Sequence, residues 1–162
     1  MIDLLTFGET MAAFRADQPL RLGGNLRLSI AGAEATVAIG AARLGHRARY
    51  VGRVGPDEFG LLITRTLKAE GVDIRQVSRC AAPTGFIVFE PRIADVVRVT
   101  YRRTGSAGST MDAPDLERAL ADGARVLHAT GITAALGEGP LRAVRAAVTN
   151  ASDAGSVPSA ST

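Results

Sequence analysis

The thirty residues from Ala31 to Gly60, AGAEATVAIGAARLGHRARYVGRVGPDEFG, constrain the fold more than any other stretch of the chain. Ala31-Gly32-Ala33 carries almost no side chain, so its backbone N–H groups can approach a polar ligand closely. An ordinary turn glycine would look the same. A periodic run follows, with Val37, Ala41 and Leu44 on one helical face and Gly45 placed to cap its end. Tyr50-Val51-Gly52-Arg53-Val54-Gly55 reads as a strand, and Pro56-Asp57 as the start of a second helix. A helix, a strand, a turn and another helix in so short a span describe a layered α/β unit.

The flanking sequence supplies further elements. Ile2 to Phe7 is an apolar run ended by Gly8-Glu9, which suits a buried first strand. Leu26, Leu28 and Ile30 alternate with polar neighbours, the period of a strand with one wet face. After Asp57, the residues Phe59, Leu62, Ile63, Thr66 and Leu67 make a helical stripe closed by Gly71. Val72-Asp73-Ile74 leads into a loop that holds Cys80 and Pro83. Gly85–Glu90 and Val97–Arg103 alternate again and form a hairpin with Pro91 and Asp95 between them. Asp112 or Ser109 can cap a helix with Pro114 in its first turn. Val126–Thr130 reads as a buried strand, and Leu141, Val144, Ala147 and Val148 mark one more amphipathic helix.

A parallel unit should next return to the sheet with an apolar strand. Residues 151–162 instead end in Ser156-Val157-Pro158-Ser159-Ala160-Ser161-Thr162, an irregular Ser/Ala-rich tail. Either the reading frame is truncated or shifted near Ala151–Gly155, or a small domain carries a natural tail.

Composition narrows the functional classes. With 162 residues, 46% of them hydrophobic, the chain can bury one real core. The pI near 9.7 suggests nucleic acid, but the net charge is only +3 and the arginines are scattered among acids. That is a mixed-charge surface and argues against nucleic-acid binding. Cys80 is the only cysteine, so no internal disulfide is possible, and a cytoplasmic chain without membrane partners is expected. No run approaches the roughly 18–20 apolar residues of a membrane span.

Few residues invite chemistry. Tyr101 and Arg103 are two apart on one strand, hence on one face. A guanidinium beside a phenol suits a ligand with a carboxylate and hydroxyls, which arginine binds as a bidentate fork. A pair of surface residues on a β edge would have the same pattern. His46 and His128 lack metal-spaced partners and read as structural. No Walker A sequence, GxGxxG after a strand or GxSxG is present.

In two places the order of residues goes further. The small-residue turn, the helix and then VGRVGPDEFG (Val51 to Gly60) resemble the N-terminal signature of the PfkB, ribokinase-like, carbohydrate kinases. Tyr101-Arg102-Arg103-Thr104-Gly105-Ser106-Ala107 and His128-Ala129-Thr130-Gly131-Ile132-Thr133 resemble the YxRxGSA and HxSGIT segments of the 2-keto-3-deoxygluconate kinase branch. The resemblance implies a partial three-layer α/β/α sandwich over residues 1–150, with a small β lid at about 25–30 and 85–103. It implies ATP-dependent phosphorylation of a sugar or sugar acid, with Mg²⁺ at the nucleotide phosphates and a homodimer clasped through the lid. Gly32, Tyr101 and Arg103 become sugar-acid contacts. Thr36 stands where most such kinases carry an asparagine and offers a shorter, single hydroxyl. Near Ile87 the branch's second lid aromatic is missing. The family's base and anion hole come from a later GAGD-type motif with no counterpart here, so no catalytic residue is assigned. A non-catalytic sugar-binding or dimerising module is the alternative.

Overall fold

The computed structural model describes residues 1–93 and 96–153. Strand β1 (Ile2–Phe7) is followed by β2 (Met11–Ala16), a 3-10 turn at Leu20–Leu22, and β3 (Leu26–Ala31). Two crossover units come next: α1 (Ala33–Arg43) with β4 (Ala48–Val54), then α2 (Glu58–Ala69) with β5 (Asp73–Arg79). β6 (Phe86–Pro91) and β7 (Val97–Arg102) form an antiparallel pair. Asp95 of the expected turn lies outside the described residues. The chain continues through α3 (Glu117–Asp122), β8 (Ala124–His128), α4 (Gly131–Ala134) and α5 (Glu138–Asp153). Helix α5 runs three residues into the expected tail, whose remainder, 154–162, also lies outside the described residues.

The strands sort into two sheets. A parallel main sheet has the order β5-β4-β1-β8, and the lid has the order β3-β2-β6-β7. In the lid two antiparallel hairpins are joined by the parallel pair β2–β6. The period of two along β4 builds the layers. Ala48, Tyr50 and Val54 pack with Ala35, Ala38, Ile63 and Leu67 on one face of the main sheet. Val51 joins Leu5 and Phe7 on the other, against Met111, Leu116, Ala143 and Ala147. This is an α/β/α sandwich with a small β lid.

In α1 and α5, alanines make most of the buried helix contacts. In α1 the buried residues are Glu34, Ala35 and Ala38, whereas Val37 is 37% and Leu44 79% exposed. The face that carries Val37, Ala41 and Leu44 is therefore not the one that packs on the sheet: short side chains let the helix lie close to it, and of these three only Ala41 packs there, in part. In α5 the buried stripe is Pro140, Ala143, Ala147 and Ala151, with Val148 exposed. β2 and β5 were not anticipated, because MAAFRA is too alanine-rich and DIRQVSR too polar to show a buried strand. β8, expected to be buried, pairs only with β1 among the described residues and leaves Val126 49% exposed.

Two polar knots hold the layers. Asp57 caps α2, its Oδ1 accepting the Gly60 N–H at 2.8 Å. Its Oδ2 accepts the Thr84 N–H at 2.8 Å, and Thr84 Oγ1 accepts the Gly55 N–H at 2.8 Å. A Cβ on Gly55 would sit 2.6 Å from the Thr84 nitrogen, so this approach needs glycine. The second knot is Tyr50, fully buried, whose hydroxyl donates to the Gly8 carbonyl at 2.6 Å and accepts from Thr10 Oγ1 at 2.8 Å. Burial pushes this phenol's pKa up, so it stays a donor at any physiological pH. Phe14, Phe59 and Phe86 then stack edge to face, with centroids 5.5 Å (14–59) and 5.8 Å (14–86) apart, and bind α2 to the lid. No helix of the described residues is long and apolar enough to cross a membrane.

Tyr50→Phe leaves a buried carbonyl and a buried hydroxyl short of a partner and should cost about 1–2 kcal/mol in denaturant unfolding. An unchanged midpoint would contradict the knot. Burial works against the charge on Asp57, but the Thr84 and Gly60 N–H groups outweigh it and hold the carboxyl below its ordinary pKa. Its stabilisation is therefore complete above pH ~4, the unfolded value, and is lost as pH falls through the lower native value. Asp57→Asn should flatten that acid limb, and Asp57→Ala should remove about 1 kcal/mol or more at neutral pH. Equal acid slopes in wild type and Asp57→Asn would refute this.

Candidate functional site

In the main sheet the crossovers from β1 proceed through β4 to β5, and β8 then returns to the opposite side of β1. The winding reverses between β1 and β8, and the crevice outside the carboxyl ends of such strands is where open α/β sheets bind ligands. Gly8-Glu9 follows β1 there, and Thr130-Gly131 follows β8. Above this point hangs the lid, and Ala31-Gly32-Ala33 leads from β3 into α1. The result is a cleft of about 130 Å³ lined by Glu9, Gly32, Glu34, Ile87, Tyr101 and Arg103 among others. Pockets for drug-sized ligands start near roughly 300 Å³, so this one suits a small molecule. A larger hollow of about 700 Å³ lies between α2 and Leu28, but its walls are mainly Phe59, Leu61, Leu62 and Ile74, and its charges stay at the rim. Of these two, the smaller cleft is the one whose polar groups face inward, at the sheet's reversal point.

Three of the four residues singled out in the sequence meet there. Gly32 has an extended backbone (φ 175°) that any residue adopts, so conformation does not demand glycine. Space does: a Cβ would lie 2.8 Å from the Glu9 carbonyl oxygen and 3.0 Å from Thr10 Oγ1. Arg103 lies one residue beyond β7, with Cζ 5.5 Å from the centre of the Tyr101 ring. Thr36 is not on the cleft. It is exposed, and its hydroxyl donates back to the Gly32 carbonyl at 2.8 Å, one helical turn earlier. Ile87 forms part of the wall, where the resemblance led one to look for an aromatic ring.

Sequence reasoning missed the two carboxylates. Glu9 is buried, and its Oε2 accepts from Arg103 Nε at 2.7 Å and Nη2 at 2.6 Å, while Oε1 accepts from the Ser106 hydroxyl. Glu34 is also buried; its Oε1 accepts from Thr130 Oγ1 and Thr133 Oγ1, both at 2.6 Å. In a sequence, Gly8-Glu9 looks like a solvated turn, and Glu34 looks like an acid favoured at a helix N-terminus. The available signal was Glu34 standing alone among Ala and Gly. Elsewhere His128 Nδ1 bonds Thr6 Oγ1 at 2.9 Å, and His46 is exposed. Among the described residues no three His, Cys, Asp or Glu side chains are grouped to hold a metal.

Residues 1–159 match the family model described as pfkB family carbohydrate kinase. The 2-dehydro-3-deoxygluconokinase of Bacillus subtilis (strain 168) is 40% identical over 142 residues, covering 83% of this chain and 43% of that protein. The 2-dehydro-3-deoxygluconokinase of Thermoproteus tenax is 39% identical over 153 residues, covering 91% of this chain and 47% of that protein. A crystal structure of a PfkB protein from Polaromonas sp. JS666 superposes with a TM-score of 0.89 at 35% identity, over 99% of this chain and 57% of that one. The chain thus spans about half the length of the curated relatives it matches. By its match along nearly its whole length and by its fold, the chain belongs to the pfkB family of carbohydrate kinases.

Proposed function

We propose that the cleft is the sugar side of an ATP-dependent kinase for a sugar or sugar acid of the 2-keto-3-deoxygluconate type. The observation that carries this is the meeting of Gly32, Tyr101 and Arg103, distant in sequence, in one small cleft at the reversal point of the main sheet. Gly32 lets backbone approach the ligand, Tyr101 supplies a hydroxyl and a ring, and Arg103 supplies guanidinium N–H donors. Phosphoryl transfer also needs a base and groups that stabilise the charge on the transferred phosphoryl. The carboxylates in this cleft are already committed, Glu9 to Arg103 and Glu34 to two threonines, so neither is a free base. Nor do the described residues group three acids that would hold Mg²⁺. Those elements are assigned to the part of the family's length that this chain does not span.

A second reading, a dimerising module, is favoured by one face of the lid. Val97 and Val99 are 52% and 40% exposed beside Phe89, on the face opposite the Phe14–Phe86 contact with α2. A homodimer joined through this face fits the apolar patch. Val99→Asp should shift sedimentation toward monomer, whereas a wild-type chain that is already monomeric would dispose of the idea.

For the sugar site, isothermal calorimetry of residues 1–162 with 2-keto-3-deoxygluconate is the direct test. Binding should be weakened about tenfold or more by Arg103→Lys, which keeps charge but loses the planar guanidinium. ATP should not be consumed by this chain alone. Failure to bind the sugar acid at millimolar concentration would overturn the sugar-site reading.

A further inference from the structure

The expected use of Arg103 was a two-pronged grip on a ligand carboxylate, yet its side-on edge is already taken. Nε and Nη2, which form that edge, both donate to Glu9 Oε2. Glu9 itself has little room to move. Its side chain is 1% exposed, a Cβ on Gly85 would come within 2.9 Å of its Oε1, and a Cβ on Gly108 would overlap its own Cβ and Cγ. Ser106 fixes the second carboxylate oxygen, and the Tyr101 ring lies beside the guanidinium. Two glycines, a serine and an arginine thus form a slot for one buried acid.

We infer that Glu9 is a positioning and specificity-determining residue: it occupies the Nε–Nη2 edge of Arg103, fixes the plane of the guanidinium and leaves only its outer Nη1–Nη2 end to a ligand. The inference rests on the sugar-site reading of the cleft. Its consequence concerns substrate class. The Glu9–Arg103 pair is electrically neutral, and Glu34 adds a negative charge to the same wall. A cleft so balanced draws a carboxylate far less than a free guanidinium would, and it selects chiefly for the hydroxyls and the carbonyl of its ligand. Glu9 therefore sets how strongly an acid is preferred over a neutral ketose.

The test uses residues 1–162 in two measurements. The first is calorimetric affinity for 2-keto-3-deoxygluconate and for fructose, in wild type and Glu9→Gln. The glutamine keeps length and an acceptor oxygen but removes the charge, so the acid-to-ketose affinity ratio should rise about tenfold. A purely structural role would weaken both ligands alike, and an unchanged ratio overturns the specificity assignment. The second measurement needs no ligand: the Arg103 Nε–H resonance in ¹⁵N NMR should be resolved and slow to exchange in wild type, shift in Glu9→Gln, and vanish in Glu9→Ala. A signal indifferent to both substitutions overturns the positioning role. If it responds as expected while the wild type binds neither ligand, the positioning role stands and the sugar-site reading falls. Glu9→Gln, being nearly isosteric, keeps the test valid should Glu9→Ala fail to fold.

Discussion

The ligand side of this fold depends on three residues, Gly8-Glu9-Thr10, by which the chain leaves its central strand and enters the lid. Several polar groups of that junction are paired with distant parts of the chain. The Tyr50 hydroxyl holds the Gly8 carbonyl and the Thr10 hydroxyl, and the Glu9 carbonyl lies against Gly32. The Glu9 carboxylate reaches the end of β7 at Arg103 and the following turn at Ser106. Buried polar groups are costly when unpaired, so a network in which each member satisfies another admits few alternative arrangements. The junction therefore sets the distance between main sheet and lid, and with it the height of the cleft.

Seen from there, the chain's strongest sequence pattern has a structural rather than chemical meaning. No residue of VGRVGPDEFG is among those that line the cleft. It makes the β4–α2 turn, in which Asp57 caps a helix and grips the Thr84 N–H just before β6, and in which Phe59 meets Phe14 and Phe86. These contacts seat the lid on α2. The pattern that identifies the family is the one that orients its lid, while the residues facing the ligand come from scattered places.

This division explains what could be read in advance. β1, β3, β4, α2, and the β6–β7 hairpin were legible because their apolar periods are carried by large side chains. The core faces of α1 and α5 were not, because alanine gives no hydrophobic stripe distinct from its helix propensity, and close packing is a property of the pair of surfaces that meet. β2 and β5 hid for related reasons, one being built of alanine and the other a polar edge strand. In the site, Gly32, Tyr101 and Arg103 were visible through the order of their neighbours. Glu9 and Glu34 were not, since burial of an acid is decided by partners from distant parts of the chain: Arg103 and Ser106 for one, Thr130 and Thr133 for the other.

The lid's parallel pairing also dictates an order of assembly. β2 lies near the start of the chain and β6 beyond both crossover units, with Ala12 paired to Phe86. Each hairpin can close locally, but their union spans α1, β4, α2 and β5, and so large a loop loses its entropy before any contact across the seam repays it. Folding of the intervening helices and strands shortens the gap by placing Thr84 and Phe59 beside β2. The lid is thus a late product of the main sheet's folding, and the cleft beneath it comes into being only when the two hairpins zip together.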